Sequence, residues 1–217
     1  SSLKADVYIS APSLTANRTT GALSDDLIRD IQSNPDIQRN TKAMISYRNN
    51  NVNSEFGDMQ LASIDLNEVV ANSFKFKSVS GSWIQDFTSS HSLIVSEPFA
   101  YKHNLKVGSK LKLLASAHGQ EQYIDFKIVG IFFDYSSDKG IVMINKEQYQ
   151  ALWGDYEISS LGLLVGDNVS KPEAIRSIQK SLAQINLMHN FNYRSNYELK
   201  KESLAPQPLA YFYFETV

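Results

Sequence analysis

The chain has 217 residues, 42% of them hydrophobic and 20% charged, and its 21 basic and 23 acidic residues leave a net charge of −2. That length fits two subdomains sharing an interface, and the near-neutral balance offers no basic stripe to neutralise a phosphate backbone, so nucleic acid is not expected as a partner. Cysteine is absent, which removes disulfides, zinc–thiolate sites, iron–sulfur clusters and a cysteine nucleophile.

Residues 6–10, Asp-Val-Tyr-Ile-Ser, alternate polar and apolar β-formers and predict a first strand stopped by Pro12. Ser24 stands as an N-cap before Asp25 and Asp26, which favour the helix dipole, and Leu27, Ile28 and Ile31 share one face of a short helix ending near Asn34-Pro35. Residues 37–47 and 59–64 read as two strands joined by an asparagine-rich turn at 49–53. Residues 74–90 hold the anchors Phe74, Phe76, Trp83 and Phe87 without a clean period, which fits a loop or a short helix. From Leu93 an apolar strand leads to Ser96-Glu97-Pro98, an N-cap followed by a helix-compatible proline, and a helical turn through Tyr101 before Gly108. Strands are expected at 110–115, 123–133 and 141–144, with turns at Gly119 and 136–140, and then an amphipathic segment closing near Trp153. A strand at 159–165, a helix from Pro172 with Ile175, Ile178, Leu182 and Ile185 on one face, and a strand at 187–193 complete the pattern.

The β-α-β patterns lie at the two ends and the middle is mostly β. The fold class expected is α+β, with a discontinuous α/β lobe built from both chain ends (residues 1–87 and 151–204) and an inserted β-rich lobe (residues 88–150). Residues 205–217 are expected to be a C-terminal segment leading back toward the membrane. No apolar run approaches the ~20 residues that span a bilayer, and no signal segment opens the chain. From the abrupt strand-like start and the aromatic LAYFYFETV ending, a domain excised from a longer chain with membrane segments is expected.

Reactive constellations do not emerge. His91, His103, His118 and His189 lie far apart, without the spacing that sets two imidazoles on one metal, so no metal site and no cofactor is expected. Asp134 and Asp138 depart from the calcium-loop spacing and read as turn residues beside Gly140. Ser96 lacks a nucleophile elbow and reads as a helix cap. No phosphate-binding lysine loop or dinucleotide fingerprint is present, and no catalytic residue is assigned. Asn17-Arg18-Thr19 and Asn168-Val169-Ser170 match the glycosylation pattern, which is common by chance. Phe132, Phe133 and Tyr135 cluster at a strand end; residues 211–214 suit a membrane interface, a final strand or a core anchor equally.

The run LIVSEPFAYKHNLKVGSKLKL at 93–113, then Val129-Gly130-Ile131, Asp134-Tyr135, Asp138, Gly140, Tyr149 and Trp153, follows a familiar order. So do the opening Asp6-Val7-Tyr8-Ile9-Ser10-Ala11-Pro12-Ser13, the Trp153-Gly154-Asp155 step into 158–163, and Ser195-Asn196-Tyr197-Glu198-Leu199-Lys200. Over nearly its whole length the chain resembles the extracytoplasmic domain of FtsX-like and MacB-type ABC transporter permeases. Ala205-Pro206-Gln207-Pro208 departs from that pattern. The resemblance implies a MacB-like periplasmic fold, a bacterial plasma membrane with this domain facing the periplasm or exterior, and no enzymatic activity. It implies a cytoplasmic ABC ATPase as partner through the transmembrane part, and a second permease copy or a periplasmic adaptor or lipoprotein as further candidates. Coupling of ATP hydrolysis to export or mechanical work is the function implied. A cargo- or lipoprotein-binding module with an inter-lobe groove is the alternative, and an extracytoplasmic hydrolase is the third.

Overall fold

The computed structural model describes residues 5–12 and 21–196. Expectations resting on Ser13, the Asn17 sequon, the aromatic cluster at 211–214 and the segment 197–217 lie outside the described residues.

Strand β1 (Val7–Ser10) precedes α1 (Asp25–Ser33), whose start is local chemistry: the Ser24 side chain accepts a hydrogen bond from the Leu27 N–H at 3.2 Å. Asn34 does not end the helical region. Its side chain caps α2 (Pro35–Asn40) through the Ile37 N–H at 3.0 Å, and Pro35 occupies the first turn, where a missing N–H costs nothing. The strand expected from residue 37 therefore starts later, as β2 (Thr41–Ser54). It also continues through the asparagines placed in a turn; the reversal falls at residues 55–56, before β3 (Gly57–Ile64). The asparagines stay extended because they have partners: Asn49 N–H donates to Ser159 Oγ at 3.1 Å and Asn50 Nδ2 to Tyr149 Oη at 3.0 Å.

Next come α3 (Glu68–Ala71), β4 (Phe76–Val79) and α4 (Trp83–Ser89), so the unsettled segment holds both a strand and a helix. β5 (Ser92–Ser96) runs into α5 (Glu97–Lys102). Ser96 sits at the cap position, yet its Oγ accepts from the Ile141 N–H at 2.8 Å instead of capping α5. The hairpin β6 (Lys110–Ala117) and β7 (Gln120–Phe132) turns at His118-Gly119, and β8 (Val142–Asn145) leads into α6 (Lys146–Trp153). β9 (Ser160–Val165), α7 (Lys171–Ile185) and β10 (Asn192–Ser195) finish the described chain. The last strand is shorter than expected; Leu187 and Met188 are exposed in the turn ahead of it.

Ten strands form one connected sheet in the order β10-β1-β9-β2-β3-β8-β5-β7-β4, with β6 pairing both β7 and β2. β1 and β9 are direct antiparallel neighbours, from Val7 opposite Leu163 to Ser10 opposite Ser160. Three cores follow from this path. In the first, α1, α2 and α7 cover one face of β10-β1-β9-β2, burying Ile9, Ile31, Leu163, Ile178 and Leu182. Each such side chain contributes roughly 1.5–3 kcal/mol by leaving water. In the second, the contact of Ser54 with Leu113 closes β2-β3-β8-β5-β7-β6 into a six-stranded barrel. Leu61, Leu93, Leu113, Phe126, Ile128 and Ile144 fill its interior. The third is a wedge between the barrel's outer wall and the first sheet: Ile45, Ile64, Val70, Phe74, Phe87, Val129 and Phe132.

A bulge makes the third core. The β5–β7 register shifts between Leu93 and Ile94, which stand opposite Ile128 and Gly130. Beyond it Ile131 belongs to the barrel interior and Phe132 to the wedge, the reverse of strict alternation from Ile128. Glycine is required here because a Cβ on residue 130 would come within 2.6 Å of the Phe76 ring.

Candidate functional site

β2 belongs to two assemblies. Tyr47 is the last β2 residue opposite β9, facing Ser160, and the first opposite β3, facing Ile64. Arg48 is the next residue, at the point where the strand leaves the helix-covered sheet for the barrel.

The Arg48 side chain is 12% exposed and is held from three sides. Its Nε donates to Asp155 Oδ2 at 2.8 Å, its Nη1 to Ser159 Oγ at 3.2 Å, and its Nη2 lies 3.1 Å from Glu157 Oε2. Tyr149, fully buried on α6, donates its hydroxyl proton to the same Asp155 oxygen at 2.6 Å and accepts from Asn50 Nδ2 at 3.0 Å. The Tyr149 ring stacks on Trp153 at 5.4 Å. Gly154 then adopts φ +60, the left-handed cap that ends α6 and turns Asp155 back onto Arg48. The other Asp155 oxygen accepts from the Glu157 N–H at 3.1 Å. One cluster thus ties β2, α6 and the approach to β9. The space left among these side chains is about 10 Å³, no more than a single water needs, so the cluster is a fastening and not a ligand pocket.

Electrostatics agree with that reading. Burial opposes ionisation of Asp155, but hydrogen bonds from Tyr149 and Arg48 outweigh it and hold its carboxyl below the usual carboxylate range. Burial, and then the bond to Asp155, push the Tyr149 phenol well above an ordinary tyrosine, so it remains a donor. Burial lowers the Arg48 pKa, and Asp155 more than restores it. A folded pKa below the unfolded one means stability that is fully present above the unfolded value and lost as pH falls through the folded value. Asp155→Asn is therefore expected to lower the urea midpoint at neutral pH, with the gap to the parent closing as pH drops below about 4. Midpoints measured across acid pH check this; a gap that ignores pH would refute it.

Sequence patterns pointed to Tyr149, Trp153, Gly154 and Asp155 but not to Arg48, Asn50 or Ser159. One signal was available: Arg48 is the only charged residue between Lys42 and Glu55. The histidines do not converge. His91 tilts against Phe126, His103 stacks on Phe56 and tilts against Phe99, His118 holds positive φ in the β6–β7 turn, and His189 meets Asp30. Among the described residues no three His, Asp or Glu side chains gather as metal ligands. Asp134 accepts from the Ser136 N–H and hydroxyl, the turn chemistry expected of it. Among the same residues no helix is long and apolar enough to cross a membrane.

No family model matches the chain. An uncharacterized ABC transporter permease protein of Mycobacterium tuberculosis is 23% identical over 186 residues, 83% of this chain and 21% of that protein, so the chain spans about a fifth of that relative's length. The periplasmic region of MacB from Actinobacillus actinomycetemcomitans superposes with a TM-score of 0.59 at 12% identity, covering 93% of both chains. The extracellular domain of the noncanonic ABC-type transporter YknZ from Gram-positive bacteria gives 0.54 at 14% identity, covering 88% of this chain and 99% of the other. The chain thus has the fold of the extracytoplasmic domains of MacB-type ABC transporter permeases, and it resembles an ABC transporter permease in sequence along most of its length.

Proposed function

We propose that the chain is the non-catalytic extracytoplasmic domain of an ABC transporter permease subunit in a bacterial plasma membrane, coupling ATP hydrolysis by a cytoplasmic ATPase to work outside the membrane. The observation that carries this is the single 14-residue strand β2, which runs through both the helix-covered sheet and the barrel and is fastened by Arg48 at the crossing. A strand of that length spans roughly 46 Å and passes displacement from one end to the other without a soft joint. The neighbouring ends support it: Asn196 N–H donates to Asp6 O at 2.9 Å, so force entering beside β1 and β10 reaches one sheet. The lobes we propose are residues 1–87 with 151–204, and 88–150, with β2 and β3 running through both. Deleting 88–150 would strip β2 and β3 of their barrel partners and bare Val52 and Leu61, so deletion is a poor test of mechanism. A cargo-binding groove between the lobes is less favoured, because the wedge core fills that junction.

These 217 residues contain no cysteine, so cysteines introduced here label uniquely once any cysteines in the rest of the permease and in the ATPase are replaced. In the full-length permease assembled with its ATPase in nanodiscs, a nitroxide at Tyr123→Cys is expected to change its distance from spin-labelled lipid headgroups on trapping with ATP and vanadate. The distance between Tyr123→Cys and Leu187→Cys within the domain should stay fixed. A domain label blind to nucleotide overturns the coupling reading.

A further inference from the structure

An open groove of about 320 Å³ lies between β4 and α5. Its floor is apolar, formed by Ala100, Leu105 and Ile131; Lys77 stands on the β4 side, and Tyr101 and Lys106 on the other. Tyr101 is 84% exposed, and Tyr135, which interacts electrostatically with Glu97 on the same rim, is 66% exposed. Large rings exposed beside an apolar floor are characteristic of contact surfaces.

Backbone and charge narrow the occupant. β4 ends the sheet, and among the described residues no strand pairs with its outer edge, where residues 77–79 are exposed. Such an edge presents N–H and C=O groups to an extended segment. The flanking stretches 75–79 and 97–106 carry four lysines (75, 77, 102 and 106) and one acid, Glu97, which lies 3.4 Å from Lys77. Lys102 and Lys106 have no ion-pair partner among the described residues. A second copy's β4 is a poor match, since self-pairing would bring lysine-bearing strands together. An acidic strand is complementary.

We propose that this groove docks an extended acidic segment of a partner protein, added along β4, with an apolar side chain on the Ala100–Leu105–Ile131 floor and a carboxylate at Lys106. The partner role rests on the reading of the domain as one that engages other proteins outside the membrane; the binding claim itself does not need ATP.

The test is fluorescence anisotropy with the 217-residue chain and a fluorescein-labelled octapeptide alternating glutamate and valine. Saturable binding with a Kd below about 1 mM, weakened by salt, is expected, and a lysine–valine octapeptide should not bind. Lys106→Glu should weaken binding at least about tenfold, the loss of one charge-assisted contact plus a new repulsion, with circular dichroism unchanged. Lys139→Glu, outside the groove, should leave it as it was. Failure of the acidic peptide to bind, equal binding of the lysine peptide, indifference to Lys106→Glu, or displacement by phosphatidylglycerol vesicles would each overturn the proposal. Such a failure leaves the nucleotide response of the full transporter untouched, and a nucleotide-blind domain leaves this titration untouched.

Discussion

Replacing Phe132 by alanine is expected to lower the unfolding free energy by about 3–5 kcal/mol, the range for removing a large aromatic from a core that cannot collapse around the gap. Phe132 is fully buried, and its ring lies 5.3 Å from that of Phe74 in the wedge core. The gap would open where the bulge at Gly130 has turned this side chain out of the barrel, so the barrel interior is spared. Trp83 provides the readout, since its ring lies 6.1 Å from Phe74 and 6.1 Å from Phe87 in the same cluster. In a Trp153→Phe background the fluorescence transition in urea reports the wedge alone. A loss under about 1 kcal/mol would mean that the wedge does not hold the two assemblies together.

Arg48→Met is the second large effect. It leaves the Asp155 carboxylate, only 18% exposed, facing Tyr149 without its cation. Removing one partner of a largely buried ion pair costs about 3–5 kcal/mol, because the remaining charge is uncompensated. Adding Asp155→Asn removes that charge and keeps one acceptor oxygen, for the Tyr149 hydroxyl, at the cost of the bond from the Glu157 N–H, so the double variant should recover part of the loss. Urea midpoints for the four proteins of the cycle isolate the pair term. Additive losses would show that Arg48 acts through packing of its aliphatic stem and not through the network. The double variant also separates fastening from folding: a domain that is stable yet lacks the Arg48–Asp155 bond should show a broader distance distribution between labels at residues 123 and 187.

Where the outcome depends on neighbours within about four residues, the sequence alone determined it. Ser24 caps α1 as expected, Leu27, Ile28 and Ile31 form its buried face, the helix beginning beside Pro172 buries Ile175, Ile178 and Leu182, and Asp134 closes its own turn. Caps, helical periodicity and turn chemistry are short-range energies, and they are written in adjacent residues. Apart from α2 and the segment holding β4 and α4, the order of elements was legible for the same reason, and so was the resemblance to MacB-type domains that the superpositions show. Tertiary structure decided the rest. Asn49 and Asn50, which favour a turn, stay in β2 because Ser159 and Tyr149, 110 and 99 positions away, satisfy the Asn49 N–H and the Asn50 side chain. Arg48 looked like a lone charge in a polar run until Asp155, 107 positions on, arrived beside it. The barrel closes through one distant pairing, and the face on which Phe132 lies is set by a bulge that depends on a parallel neighbour. Partners brought together only when loops close have no periodic trace in the chain, because their free energy arises from desolvation and geometry that exist only in the folded state.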